Sequence, residues 1–310
     1  MQLLLANPRG FCAGVVRAIA IVERALELHG APVYVFHEIV HNGHVVAGLR
    51  DRGAIFVDEI DAIPPGAVTI FSAHGVANTV LRQARSRGLN VIDATCPLVA
   101  KVHLQAQRYA RLGYAIVVIG HRGHEEVEGT VGAIDAPVHV VMTLADIERL
   151  PLAADVPIAY VTQTTLSLDD TRELIAALER RFASIVGPDV DDICYATQNR
   201  QNAVRFVARQ VDLVLVVGAR NSSNTSRLRE VAAQQGVPAH HVQDASEIDP
   251  DWLTQVARVG ITAGASTPEV LVRGVCERLV ELGARSVRQI EGVAETVSFR
   301  LPAALLAQAA

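Results

Sequence analysis

The chain has 310 residues, of which 50% are apolar and 4% aromatic, and its formal charge is −5. That length exceeds an ordinary single domain and predicts two or three, with a core built mostly from Val, Leu, Ile and Ala. An acidic balance without a polybasic run leaves no footprint for nucleic acid or an anionic membrane surface, and no stretch reaches the roughly 18 apolar residues of a membrane span.

The opening "MQLLLANPRG" lacks a basic leader and its apolar run is too short for a signal peptide, so a cytoplasmic protein is expected. In that compartment the 4 cysteines read as ligands, nucleophiles or core residues rather than disulfides. In chain order the periodicity predicts a helix over 15–29, strands over 32–36, 68–71 and 90–92, and a helix over 98–112. Strands over 115–119 and 158–161 and helices over 169–182 and 202–209 come next. A strand over 212–217, a helix over 225–235, a strand over 258–261 and a helix over 268–282 complete the pattern. Gly30, Gly113, Gly236 and Gly283 stand where C-terminal caps belong. Such alternation predicts α/β layers on mainly parallel sheets.

Cys12, Cys96 and Cys194 recur at intervals of roughly 80–100 residues, each just before a helical stretch, which suggests three related α/β units around a common centre. The expected units are 1–96, with a tail 283–310 packing back on it, then 97–193 and 194–282. Cys276 falls inside the helical run "PEVLVRGVCERLVEL" on its apolar side and reads as a core residue.

In parallel sheets ligands bind beyond the carboxyl ends of the strands. Here those ends lead into "HEIVHN", "SAHGV", "HRGHEEVEG", "TQTTLS", "RNSSNTS" and "AGASTPE". Taken singly, each Ser, Thr or Asn is explained by helix capping and each His by a solvated or structural role. Taken together, neutral donors at helix starts suit an anion such as phosphate or diphosphate. Neither a phosphate-binding Gly-x-x-x-x-Gly-Lys-Ser/Thr loop nor a Gly-x-Gly-x-x-Gly after a strand occurs, so an ordinary nucleotide fold is unsupported.

The three dispersed thiols contain no Cys-x-x-Cys pair and fit neither a zinc ribbon nor a thioredoxin-type site. They are either three unrelated buried thiols or, if they converge, ligands of an iron–sulfur cubane with one iron uncovered. Such an iron is both Lewis acid and electron donor, as reductive removal of a hydroxyl requires. Glu126, two positions after His124 in a strand-to-helix loop, is a candidate general acid. Glu125 and Glu128 read as a solvated helix start.

The motifs "NPRGFCAGV", "HEIVHN", "SAHGV", "DATCPLV", "GHEEVEGT", "TQTTLS", "DDICYAT", "NSSN" and "TAGAS" run in order over nearly the whole chain. They resemble those of the 4-hydroxy-3-methylbut-2-enyl diphosphate reductase family. The resemblance implies a trefoil of three α/β units around a central [4Fe-4S] cluster on Cys12, Cys96 and Cys194. It implies a diphosphate site from His41, His74, His124, Ser222, Ser223, Asn224 and Ser266, a proton donor at Glu126, and Thr164 beside the substrate hydroxymethyl group. The implied reaction yields isopentenyl and dimethylallyl diphosphate in the non-mevalonate route, with electrons from a ferredoxin or flavodoxin. Val16, Phe36, Gly43 and Gln198 depart from the family pattern but remove no implied ligand. A non-catalytic diphosphate sensor with a redox cluster is the alternative; a zinc hydrolase is disfavoured by the lack of His-Glu-x-x-His.

Overall fold

The computed structural model describes residues 1–188 and 192–306. Met1–Val15, His41–Val45 and Tyr195–Val297 form one compact unit, and the remaining described residues form a second. The first unit holds a parallel sheet in the order Ala239–Val242, Leu213–Val217, Arg258–Ala263, Gln2–Leu5, Ser286–Gln289. The second unit holds two more. One runs Ala54–Val57, Val33–Phe36, Val68–Phe71, Asn90–Asp93; the other runs Val138–Val141, Ala115–Ile119, Ile158–Thr162, Ile185–Val186.

Central strands are buried on both faces because helices cover both, which is why they read as unbroken apolar runs. All of Leu213–Val217 is buried. Leu213, Leu215 and Val217 join one core cluster, and Val214 and Val216 join the other. Ile116 and Val118 are likewise separated from Val117 and Ile119.

The three sheets share one plan. Gln2–Leu5, Asn90–Asp93 and Ile185–Val186 each precede a thiol, and each pairs with the third strand of its set. The helices Ala13–His29, Pro97–Arg111 and Tyr195–Ala208 begin immediately after Cys12, Cys96 and Cys194. A thiol therefore closes one strand set, and the helix after it opens the next. This corrects the unit expected over 1–96. Gln2–Leu5 is a buried apolar strand that needs a neighbour on each side, and it finds them in Arg258–Ala263 and Ser286–Gln289. The tail expected from 283 divides accordingly. Ser286–Gln289 extends that sheet, while the carbonyls of Arg300 and Leu305 accept from Arg17 and Arg24 of the first helix. The last four residues of that tail lie outside the described residues.

The helix after Cys194 starts seven residues earlier than its periodicity predicts, at Tyr195 rather than 202. Its first half, "YATQNRQ", buries Thr197, Arg200 and Gln201, so the apolar stripe is absent although the face is inward. Gly30, Gly113, Gly236 and Gly283 take the positive φ of helix caps, as expected.

In the second unit the short helix Glu125–Gly132 packs on the loop that follows Val68–Phe71, through glycines. A Cβ on Gly129 would lie 3.0 Å from the Gly75 carbonyl oxygen, and one on Gly132 would lie 2.2 Å from the Ala77 Cβ. Gly75 has φ +79, and a Cβ there would meet His103 Cε1 at 2.7 Å. Small residues thus let His74 approach the first turn of this helix. Ala77 has no rotamer that could relieve the clash, so Gly132→Ala should destabilise the chain by about 1–3 kcal/mol in urea unfolding.

His103, packed against Gly75, has no hydrogen-bond partner at Nε2 among the described residues, and burial lowers its pKa from 6.5 to about 4 despite nearby Asp93. The folded state favours the neutral ring. Its stabilising contribution is complete above pH 6.5 and is lost as pH falls towards 4, on the order of 3 kcal/mol. His103→Gln should remove most of that acid sensitivity from the urea midpoint, and an unchanged pH profile would contradict the assignment.

Candidate active site

The second unit brings six expected site residues into one network. Glu126 is nearly fully buried, and its carboxylate accepts twice from one residue: Thr164 N–H donates to Oε1 at 2.6 Å and the Thr164 hydroxyl donates to Oε2 at 3.0 Å. The Thr164 carbonyl accepts from the Cys194 N–H at 3.1 Å. The third thiol is thus one residue away from the candidate acid. Glu126 lies in the first turn of its helix rather than in the loop expected, because His124 is the N-cap: its Nδ1 accepts from the Glu126 N–H at 3.1 Å. An accepting Nδ1 means a neutral ring with its proton on Nε2. His74 lies with its ring centroid 6.0 Å from that of His124. Its Nδ1 is 2.7 Å from Glu125 Oε2, which aims Nε2 away from the helix. Cys96 N–H donates to the Ala73 carbonyl at 3.0 Å, so the second thiol adjoins the His74 loop.

The first unit assembles the others. Cys12 N–H donates to the Ala265 carbonyl at 3.1 Å, and Ala265 N–H donates to Asn224 Oδ1 at 2.9 Å. Asn224 Nδ2 donates to Thr197 Oγ1 at 3.3 Å. Ser222 caps the helix Ser223–Gln234 by accepting from Thr225 N–H. The Ser266 hydroxyl donates to the His41 carbonyl at 2.9 Å, fixing the two loops together. Ser222, Asn224 and Ser266 are buried and Ser223 is half-buried. All of this donor set is uncharged, and Ser222, Ser223 and Asn224 lie at the start of a 12-residue helix whose first-turn N–H groups favour an anion.

Cys12, Cys96 and Cys194 are half-buried, as is Cys276. Cys276 differs in setting: it packs on the core beneath the five-stranded sheet, and burial pushes its thiol pKa up, so it is a neutral thiol. Cys12 in the first unit and Cys96 and Cys194 in the second each present a soft sulfur donor on a residue whose backbone N–H is held by a strand-end loop, the donor type that iron–sulfur ligation uses.

Several residues of the site escaped the sequence reading. Glu125 was assigned to a solvated helix start, yet it holds His74; only Glu128 behaves that way, accepting from the Gly123 N–H at 3.1 Å. Thr197 supports Asn224, and its burial inside "CYATQNRQ" gives no apolar signal. Lys101, the only lysine in the chain, places Nζ 3.9 Å from the buried Asp192 carboxylate, and that carboxylate also accepts from Thr162 N–H. This pair ties the helix after Cys96 to the segment before Cys194. Its compositional singularity was the available clue.

Among the described residues no helix is long and apolar enough to cross a membrane. Residues 3–280 match the family model described as LytB protein. A 4-hydroxy-3-methylbut-2-enyl diphosphate reductase of Aromatoleum aromaticum is 60% identical, over 97% of this chain and 96% of its own length. One of Burkholderia pseudomallei is 59% identical, over 98% and 97%. Among solved structures, the E-1-hydroxy-2-methyl-but-2-enyl-4-diphosphate reductase of Plasmodium falciparum is similar with a TM-score of 0.93 and 38% identity, covering 98% of this chain and 96% of that one. The matches span almost the entire length on both sides and take in every thiol and strand-end loop described above: the chain belongs to the LytB family.

Proposed function

We propose that the chain reduces 4-hydroxy-3-methylbut-2-enyl diphosphate to isopentenyl and dimethylallyl diphosphate in the non-mevalonate isoprenoid route. Two electrons and two protons enter, the allylic hydroxyl leaves as water, and a C–H bond replaces the C–O bond. What carries the reading is the chain of contacts from Glu126 through Thr164 to Cys194. It sets a buried carboxyl group one residue from a thiol-bearing residue.

Cys12, Cys96 and Cys194 would hold a [4Fe-4S] cluster, which when bound supplies electrons and a Lewis-acidic iron for the leaving oxygen. The electrons come from a small redox protein, a ferredoxin or flavodoxin, and the setting is the cytoplasm, where exposed thiols stay reduced. Ser222, Ser223, Asn224, Ser266 and His41 bind the diphosphate together with His74 and the Nε2–H of His124. Thr164 orients the hydroxymethyl group. Glu126 delivers the proton, and the Thr164 contacts support a choice of oxygen. The Thr164 N–H can only donate, so Oε1 remains an acceptor; the Thr164 hydroxyl can turn round and accept, so Oε2 is the atom that carries the proton.

Glu126→Gln should retain diphosphate binding and lose turnover by about 10²–10⁴-fold in a reduced-dye assay. Binding with no turnover in either form would favour a sensor instead. Cys12→Ser should abolish the brown iron–sulfur chromophore. Cys276→Ser should keep it and cost only about 1–2 kcal/mol of stability. Equal iron loss in both cysteine variants would overturn the ligand assignment.

A further inference from the structure

The helix Tyr195–Ala208 does more than follow Cys194. From its first two turns, side chains reach the backbone on both sides of Cys12. Arg200 is completely buried, and its guanidinium meets the carbonyl of Gly10 through Nε at 3.0 Å and Nη2 at 2.7 Å, and that of Phe11 through Nη2 at 3.2 Å. Nη1 donates to the Ala196 carbonyl at 2.9 Å, closing the fork back onto its own helix. The charge is met by Glu295, whose Oε1 lies 2.9 Å from Nη1 and whose Oε2 lies 3.2 Å from Nη2. Asn199 Nδ2 holds the same carboxylate at 3.1 Å. On the other side of the thiol, the Tyr195 hydroxyl lies near the Ala13 N–H and close enough to Cys12 for the two side chains to influence one another.

We infer that Arg200 and Tyr195, with Glu295 as the arginine's anchor, are positioning residues that preset the Cys12 sulfur. The inference rests on the proposed ligand role of Cys12. Gly10 N–H is held by the Ala263 carbonyl at 3.3 Å and Cys12 N–H by the Ala265 carbonyl at 3.1 Å. With the Gly10 and Phe11 carbonyls also engaged by Arg200, the backbone from 10 to 12 is held at four of its polar groups. The Cys12 side-chain torsion is what remains. Only a planar fork can take two successive carbonyls and a carboxylate at once; a lysine ammonium offers one nitrogen at the same place. A buried ion pair is weak evidence for stability, since apolar residues of equal volume often pack as well. Its use against this loop is better explained by geometry at the thiol.

The experiment uses the full chain, reconstituted anaerobically with ferrous iron and sulfide, as wild type, Tyr195→Phe, Arg200→Lys and Glu295→Gln. Iron per chain, iron release to a chelator, the electron paramagnetic resonance spectrum of the reduced protein and the thermal midpoint are read for each. Tyr195→Phe, which removes one hydroxyl, should keep the wild-type midpoint yet release iron about 10–100-fold faster and shift the resonance signals, as outer-shell changes do. Glu295→Gln and Arg200→Lys should do so more strongly; if Arg200→Lys does not fold, the other two decide. Wild-type release rates and spectra in the folded variants would overturn the clamp alone. A wild-type chain that takes up no iron would overturn the cluster reading beneath it.

Discussion

Each thiol residue of the site gives its backbone N–H to a carbonyl in the loop after the neighbouring parallel strand: Cys12 to Ala265, Cys96 to Ala73, Cys194 to Thr164. The residue ahead of a helix has an N–H that the helix itself does not use, and a buried one must find a partner. In these sheets the nearest available carbonyl lies two residues past the end of the adjacent strand, whose last residues are Ala263, Phe71 and Thr162. The same bond satisfies the backbone, fixes the Cα–Cβ direction of the thiol, and draws against it the loop that carries Ser266, His74 or Thr164. Repeated in three sheets, one local rule sets each thiol residue against the polar loop of its own sheet.

The two units carry different polar groups at their strand ends. The first unit offers hydroxyls, an amide and helix N–H groups, all uncharged. The second offers imidazoles oriented by their surroundings: His74 by Glu125, and His124 by the backbone of the turn that carries Glu126. Because Gly129 and Gly132 allow the helix to lie against the Gly75–Ala77 loop, the two imidazoles and the two carboxyl groups come from elements in direct contact. The glycines of "EEVEGTVG" therefore belong to the site's geometry as much as its acids do.

Much of this was legible in the amino-acid order. Long central strands such as Leu213–Val217 and Ala115–Ile119 announce themselves because both faces are apolar. The strands that went unseen include Ala54–Val57, Val138–Val141, Ala239–Val242 and Ser286–Gln289, each at a sheet edge. An edge strand has one partner and a partly solvated face, so it can read "AHHV" or, with every residue exposed, "SVRQ". The thiols were seen to precede helices, but that Gln2–Leu5 completes a sheet begun at Leu213 is a non-local pairing with no periodic trace. Arg200 was hidden for a related reason. A polar side chain inside a helix looks solvated until its partners, here Gly10, Phe11 and Glu295, arrive from distant parts of the chain.

Burying a carboxylate is unfavourable unless its oxygens are satisfied, and Thr164 meets both oxygens of Glu126, through one donor that can reverse and one that cannot. That asymmetry links stability to chemistry. The fixed backbone donor holds one carboxylate oxygen, and the hydroxyl meets the other. The Thr164 carbonyl is simultaneously committed to Cys194, so any rotation of the Thr164 backbone that relaxed its grip on the acid would also move the thiol. The Glu126 carboxyl group and the Cys194 backbone are held by opposite ends of one residue, and Thr164 therefore couples the position of one to that of the other.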